Sequence, residues 1–288
     1  MYAAISGLKA HQVMLDVTAN NLANVDTIGY KGQRTTFVDE LSQVIRGASG
    51  ATNISGGTNP VEVGLGVQLG SIDNVMSEGS AESTGNPLDV ALQSNGFFRV
   101  GLGNPPTVPA TEQYTRAGNF TTNTLGYLTT QSGMYVIGRN AVSSGTAPNL
   151  TYTPGATDSY INIPPGSTDI AVGQDGSVTY VDQVPSSATY QQRVTTGYIS
   201  LATFPNAAGL ERTGGSLWMS TANSGTPTHG TPNTPGFGSA VSGELEMSNV
   251  DLATEFTNMI EAQRGFQANS RVITTADEML QTLVNMKQ

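Results

Sequence analysis

The segment LATEFTNMIEAQRGFQANSRVITTADEMLQTLVNMKQ, residues 252–288, holds no proline and repeats a large apolar residue every seventh position: Leu252, Met259, Phe266, Ile273 and Leu280. A period of seven draws a narrow apolar seam along a helix, as in coiled coils. The companion positions Gln263, Ser270 and Asp277 are polar. The other end of the chain has the same pattern, with Leu8, Leu15 and Leu22 following Met1 by sevens, Ile5 three before Leu8, and Gln12 as a polar companion. Both ends therefore read as helices with an apolar seam on a largely polar surface. The first, about 24 residues, spans roughly 36 Å, and the second, about 38 residues, roughly 57 Å. A helical hairpin packed on one globular body is the plainer reading, but it leaves roughly 20 Å of seam uncovered. Val272, Met279, Leu283, Val284 and Met286 widen the apolar surface there. Self-association is the simplest source of a partner.

Between the ends the composition changes. The 288 residues include 34 Gly and are only 12% charged, and Thr, Ser and Asn are abundant. That bias favours turns and strands over a helical core. The stretch RAGNFTTNTLGYLTTQSGMYVIG, residues 116–138, reads as short strands broken at Gly126 and Gly133. Asp175-Gly176, between IAVGQ and SVTYV, predicts a two-residue hairpin turn. The fold class is mixed and mainly β, with a β-rich domain inserted between terminal helices. The expected divisions are a first helix at 1–28, a linker region at 29–71, the β-rich domain at 72–223, a Pro/Gly-rich return linker at 224–243 and a second helix at 244–288.

Chemistry finds little support. The chain has no Cys and two His, and a formal net charge of -10. This disfavours disulfides, thiolate metal sites, cysteine nucleophiles and binding to nucleic-acid phosphates. GLGVQLG, residues 64–70, lacks the strand–turn–helix setting of a dinucleotide site and reads as a glycine-rich strand. The acid pairs Asp39-Glu40, Glu244/Glu246 and Asp277-Glu278 read as solvated helix faces. His229 is expected to be exposed in its Pro-rich surroundings and His11 to lie on a polar helix face. No active site, metal or cofactor is expected. No apolar run approaches the roughly 20 residues of a membrane span, and the first residues do not have the pattern of a cleaved secretory signal.

Longer motifs point further. LDVTANNLANVDTIGYKGQRTTF, residues 15–37, resembles the N-terminal signature of the bacterial flagellar rod and hook family, and residues 242–288 resemble its C-terminal signature. NPLDVALQSNGFFRVG, YTRAGNFTTNTLGYLTTQSGMYVIG and ATFPNAAGLERTGGSLWMSTANSG fit that family in order. One departure is Ser94, where the family pattern before Phe97-Phe98 usually has Gly.

The resemblance implies a structural, non-enzymatic subunit of a helical homo-polymer. Its terminal helices would form an inner tube around an export channel, with the β-rich domain outside. It further implies passage through the flagellar type III export apparatus without a cleaved signal, an extracellular hook or basal-body location, and contacts with the hook cap and with neighbouring rod and hook–filament junction proteins. GGTNPVEVGLG, residues 56–66, and the ending AQRGFQANSRVITTADEMLQTLVN look more like hook proteins of Gram-positive type, so a hook subunit is expected ahead of a distal rod subunit. A β-rich adhesin or carbohydrate-binding module would explain the Thr- and Gly-rich middle but not the terminal heptads. In the tube, Ile5, Leu8, Leu15, Leu22, Leu252, Met259, Phe266, Ile273 and Leu280 would form the assembly seam. Gln12, Asn20, Gln263 and Ser270 would face the channel or make polar contacts between subunits. Gly265, costly inside a helix, would allow close approach of a neighbouring helix.

Overall fold

The computed structural model describes residues 2–50, 56–103, 105, 108, 111–144, 151–183 and 189–286. Met1 and residues 51–55 of the expected first linker lie outside these. The chain is mainly β, with 41% in strands, and carries a helix at each end. It divides into two compact units. The first comprises residues 1–24, 32–75 and 250–288, and the second residues 25–31 and 76–249.

The first unit contains helix α1 (Tyr2–Ala23), strands β1 (Gln33–Asp39), β2 (Ser42–Arg46), β3 (Val61–Gly64) and β4 (Val67–Asn74), and helix α2 (Leu252–Asn285). The stretch expected as a linker at 29–71 thus carries most of four strands. β1 pairs antiparallel with β4, from Gln33 opposite Asn74 to Asp39 opposite Val67, and β2 pairs antiparallel with β3. Thr35, Thr36, Val38, Val44, Ile45, Val61, Val63 and Val67 supply the β-branched side chains that suit a pleated surface, despite the glycines around them. GLGVQLG enters β4, as its strand reading required. α2 starts later than the expected 244, because Asp251 caps it: its carboxylate accepts from the Ala253 N–H at 3.1 Å and from the Thr254 hydroxyl at 2.7 Å.

The second unit is built on an antiparallel sheet. Its central path runs through Thr168–Val172, Ser177–Val181, Arg193–Ile199, Tyr135–Ser144, Phe97–Gly101, Glu112–Thr115, Leu217–Met219 and Glu211–Gly214. Successive residues of a strand point to opposite faces. Phe98 accordingly enters one apolar cluster with Val100, Phe120, Val136, Ile199 and Leu201, while Phe97 enters another with Tyr114, Leu210 and Trp218. The Asp175-Gly176 hairpin is present with a different turn. Gly176 N–H bonds the Gly173 carbonyl, Gly173 N–H bonds the Ser177 carbonyl, and Gly176 has φ +75°. This is a three-residue loop closing on a left-handed glycine bulge. The return stretch 224–243 is not a free linker. Thr228–Gly230 pairs with Leu201–Thr203, and Ser239–Ser242 pairs with Val90–Gln93. Pro227, Pro232 and Pro235 fall outside these ladders, where a missing N–H costs nothing. His229 is consequently half-buried rather than exposed, and Glu246 lies buried in strand Glu244–Glu246 rather than on a solvated helix.

Candidate assembly surface on the terminal helices

Inside the first unit α1 and α2 run antiparallel, with Gly7 beside Asn269, His11 beside Gly265 and Asn21 beside Glu255. The buried face of α1 is Ala4, Gly7, Ala10, Val17, Thr18 and Asn21, a line of mostly small residues at helical spacing. Such residues let two backbones approach closely. A Cβ built on Gly265 would stand 2.5 Å from Cε1 and Nε2 of His11, and one on Gly7 would stand 2.7 Å from Nδ2 of Asn269. The expectation that His11 lies on a polar face is therefore corrected, since its ring fills the space over Gly265 and its Nδ1 is buried without a partner.

Asn21 fastens the end of α1. Its side-chain amide donates to the Gln33 carbonyl at 2.7 Å and accepts from the Gln33 N–H at 2.9 Å, satisfying both backbone groups of that residue. The same amide donates to Glu255 at 3.1 Å. Burial raises the Glu255 pKa above the usual carboxylate range, while the bond from Asn21 works against that rise. Hydrogen bonds from Thr254 and Ala253 instead lower the Asp251 pKa.

The contact register pairs residue i of α1 with about residue 276 − i of α2, so Tyr2 stands level with Thr274 and the following residues of α2 project beyond α1. That projection carries Met279, Leu280, Leu283, Val284 and Met286, all exposed, with Met286 79% open. A second exposed apolar feature is the β2–β3 hairpin, where every residue of both strands is exposed and Leu41, Val44, Ile45 and Val63 are uncovered.

The sequence-predicted residues divide by position. Leu8, Leu15, Leu22, Met259, Phe266 and Ile273 are half-buried within the first unit, whereas Ile5, Leu252 and Leu280 are exposed. Gln12, Asn20 and Gln263 are exposed and Ser270 is half-buried. The helix that closes on Gly265 is α1 of the same chain. Sequence reasoning passed over Asn21, Asn269 and Glu255, and misplaced His11. The doubled Asn20-Asn21 near the end of α1 was the available signal, since a helix end invites side-chain amides to complete backbone bonds.

Among the described residues no group of three His, Asp or Glu side chains is placed to hold a metal, and no helix is long and apolar enough to cross a membrane. Comparison with known proteins decides the family. The family model described as flagella basal body rod protein matches residues 1–31, that of the flagellar hook protein FlgE/F/G D1 domain residues 91–180, and that of the flagellar basal body rod FlgEFG protein C-terminal residues 241–286. The flagellar basal-body rod protein FlgG of Bacillus subtilis is 42% identical over 289 aligned positions, covering 100% of this chain and 98% of its own. The chain belongs to the flagellar rod and hook family. Two relatives come from one organism, Borreliella burgdorferi: its rod protein FlgG is 32% identical, covering 100% of this chain and 98% of its own, and its hook protein FlgE is 27% identical over 443 positions, covering 100% and 99%. The family is structural, its members build the rod and hook of the flagellum by self-polymerisation, and they meet neighbouring flagellar components.

Proposed function

We propose that this chain is a non-enzymatic subunit of the distal rod of the flagellar basal body. The expectation of a hook subunit gives way here. The observation that carries the change is the similarity to rod proteins over the whole length, 42% identity to that of Bacillus subtilis across 289 positions, whereas the hook protein of Borreliella burgdorferi is 27% identical and needs 443 positions to align. The hook-like look of residues 56–66 and of the ending AQRGFQANSRVITTADEMLQTLVN rests on two short stretches, against whole-length similarity to rod proteins.

In this reading the terminal helices polymerise around an export channel. The α2 projection finds its partner in neighbouring copies, and the half-buried Met259, Phe266 and Ile273 hold α1 and α2 together as the unit that is stacked. Gln12, Asn20 and Gln263, exposed and polar, suit a channel lining or contacts between subunits. Export through the flagellar type III apparatus and contacts with adjoining rod and hook proteins follow from the same reading. Double substitution of Leu283 and Val284 by Asp tests the surface. Burying unpaired carboxylates costs several kcal/mol per interface, so the variant should keep its helix content by circular dichroism, fail to sediment as polymer and fail to restore motility. Normal polymers from this variant would remove the projection from the assembly surface.

A further inference from the structure

The second unit contains an ionic cluster that the assembly surface does not use. Lys31, Arg116 and Glu246 are respectively 1%, 5% and 2% exposed. One Glu246 oxygen accepts from Lys31 Nζ at 2.5 Å and from the Gly79 N–H at 3.1 Å, and the other accepts from Arg116 Nη1 at 3.1 Å. Lys31 also donates to the Ser77 carbonyl at 2.8 Å, and Arg116 to the Ser94 carbonyl at 2.8 Å. Among the described residues Glu246 is the carboxylate that ion-pairs with both cations.

This cluster seats residues 25–31 as a strap on the body. Gly29 N–H donates to the Glu246 carbonyl at 2.8 Å. Gly29, at φ +65°, lies so close to Ala117 that a Cβ would come within 2.6 Å of its backbone nitrogen. The Arg212 guanidinium sits 4.7 Å from the ring centres of both Tyr30 and Trp218 and donates to the Lys31 carbonyl.

We propose that Glu246 is the residue on which seating of the 25–31 strap depends, so that the strap closes only after the last-made part of the body has arrived. Lys31 and Arg116 both precede Glu246 in the chain. Without its carboxylate they would be two buried cations with no ion-paired carboxylate among the described residues, Glu78 acting on Lys31 only from longer range, and losing one partner of a buried pair is strongly destabilising. A chain that has not yet delivered Glu246 therefore holds its strap open. The dependence follows from chain direction and this cluster, and it applies equally to a rod or a hook subunit.

The test uses the full-length chain with Glu246→Gln, Lys31→Met and both together. Trypsin cuts after Lys31 in an open strap, with the buried or half-buried Arg99 and Arg139 as references for the body. Glu246→Gln should speed cleavage after Lys31 at least tenfold, leave Arg99 and Arg139 protected, and shift Trp218 emission as Tyr30 and Arg212 move away. If Glu246→Gln instead opens the whole body, adding Lys31→Met should restore at least half of the lost protection at Arg99 and Arg139, because it removes an unpaired cation. Unchanged protection after Lys31 in Glu246→Gln would overturn the proposal, as would a globally opened variant that Lys31→Met does not rescue.

Discussion

Substituting Gly265 by Ala sets two effects of known sign against each other. In an exposed helix the change gains about 1 kcal/mol, the difference in propensity between Gly and Ala. Here the new Cβ would lie 2.5 Å from two His11 ring atoms and 2.8 Å from a third, against ordinary contacts near 3.5–4 Å. Relieving that overlap requires the His11 ring to swing out or α1 to move, an overpacking cost of about 1–3 kcal/mol. The balance lies between neutral and about 2 kcal/mol destabilising. Replacing His11 by Ala removes the obstacle, so in that background Gly265→Ala should stabilise by about 1 kcal/mol. The coupling in the double-mutant cycle is therefore about 1–3 kcal/mol. Helix melting of the four proteins at 222 nm measures it. Equal stabilisation by Gly265→Ala in both backgrounds would refute close packing at this point. Gly265→Leu extends the argument, since its larger side chain should displace α1 and impair polymerisation despite better helix propensity.

Two other predictions concern the second unit. Ser94 has φ +75°, a left-handed conformation that costs a residue with a Cβ about 1–2 kcal/mol, so Ser94→Gly should raise stability by about 1 kcal/mol in urea unfolding followed by Trp218 fluorescence. Burial, then the charge of Arg99, lowers the His229 pKa, so below the ordinary histidine pKa of about 6.5 the unfolded chain binds more protons than the folded one. Its contribution is full above that pH and is lost on acidification through the lowered value; thermal melts at pH 7.5 and 5 should show a drop that His229→Gln reduces.

The helices were legible because a seven-residue apolar period survives in sequence whatever the tertiary context. Which face of α1 is buried was not, because a pattern weighted toward Leu8, Leu15 and Leu22 overlooks the small residues Ala4, Gly7 and Ala10, whose merit is what they let approach. The Gly- and Pro-rich stretches misled in a related way. Val61, Val63 and the strand Ser239–Ser242 form ladders with distant partners, and turn composition outweighed those few residues. Buried polar partners were invisible for a simpler reason. Asn21 meets Glu255 across 234 positions, and Lys31 meets Glu246 across 215. Neither separation leaves a local signal. The body also proves larger than the expected 72–223, since it takes in residues 25–31 and extends to Asn249. A fragment cut at 223 would lose Glu246 and the strands at 239–246. Ser94 was legible as an oddity, and its positive φ supplies the reason a glycine would suit that position.

Electron microscopy of basal bodies from a strain lacking this chain tests the central claim most directly. A distal rod subunit should leave a short proximal rod stub with neither distal rod nor hook, and restoring the chain should restore both. A full-length rod that merely lacks its hook would contradict the account and return the chain to the hook.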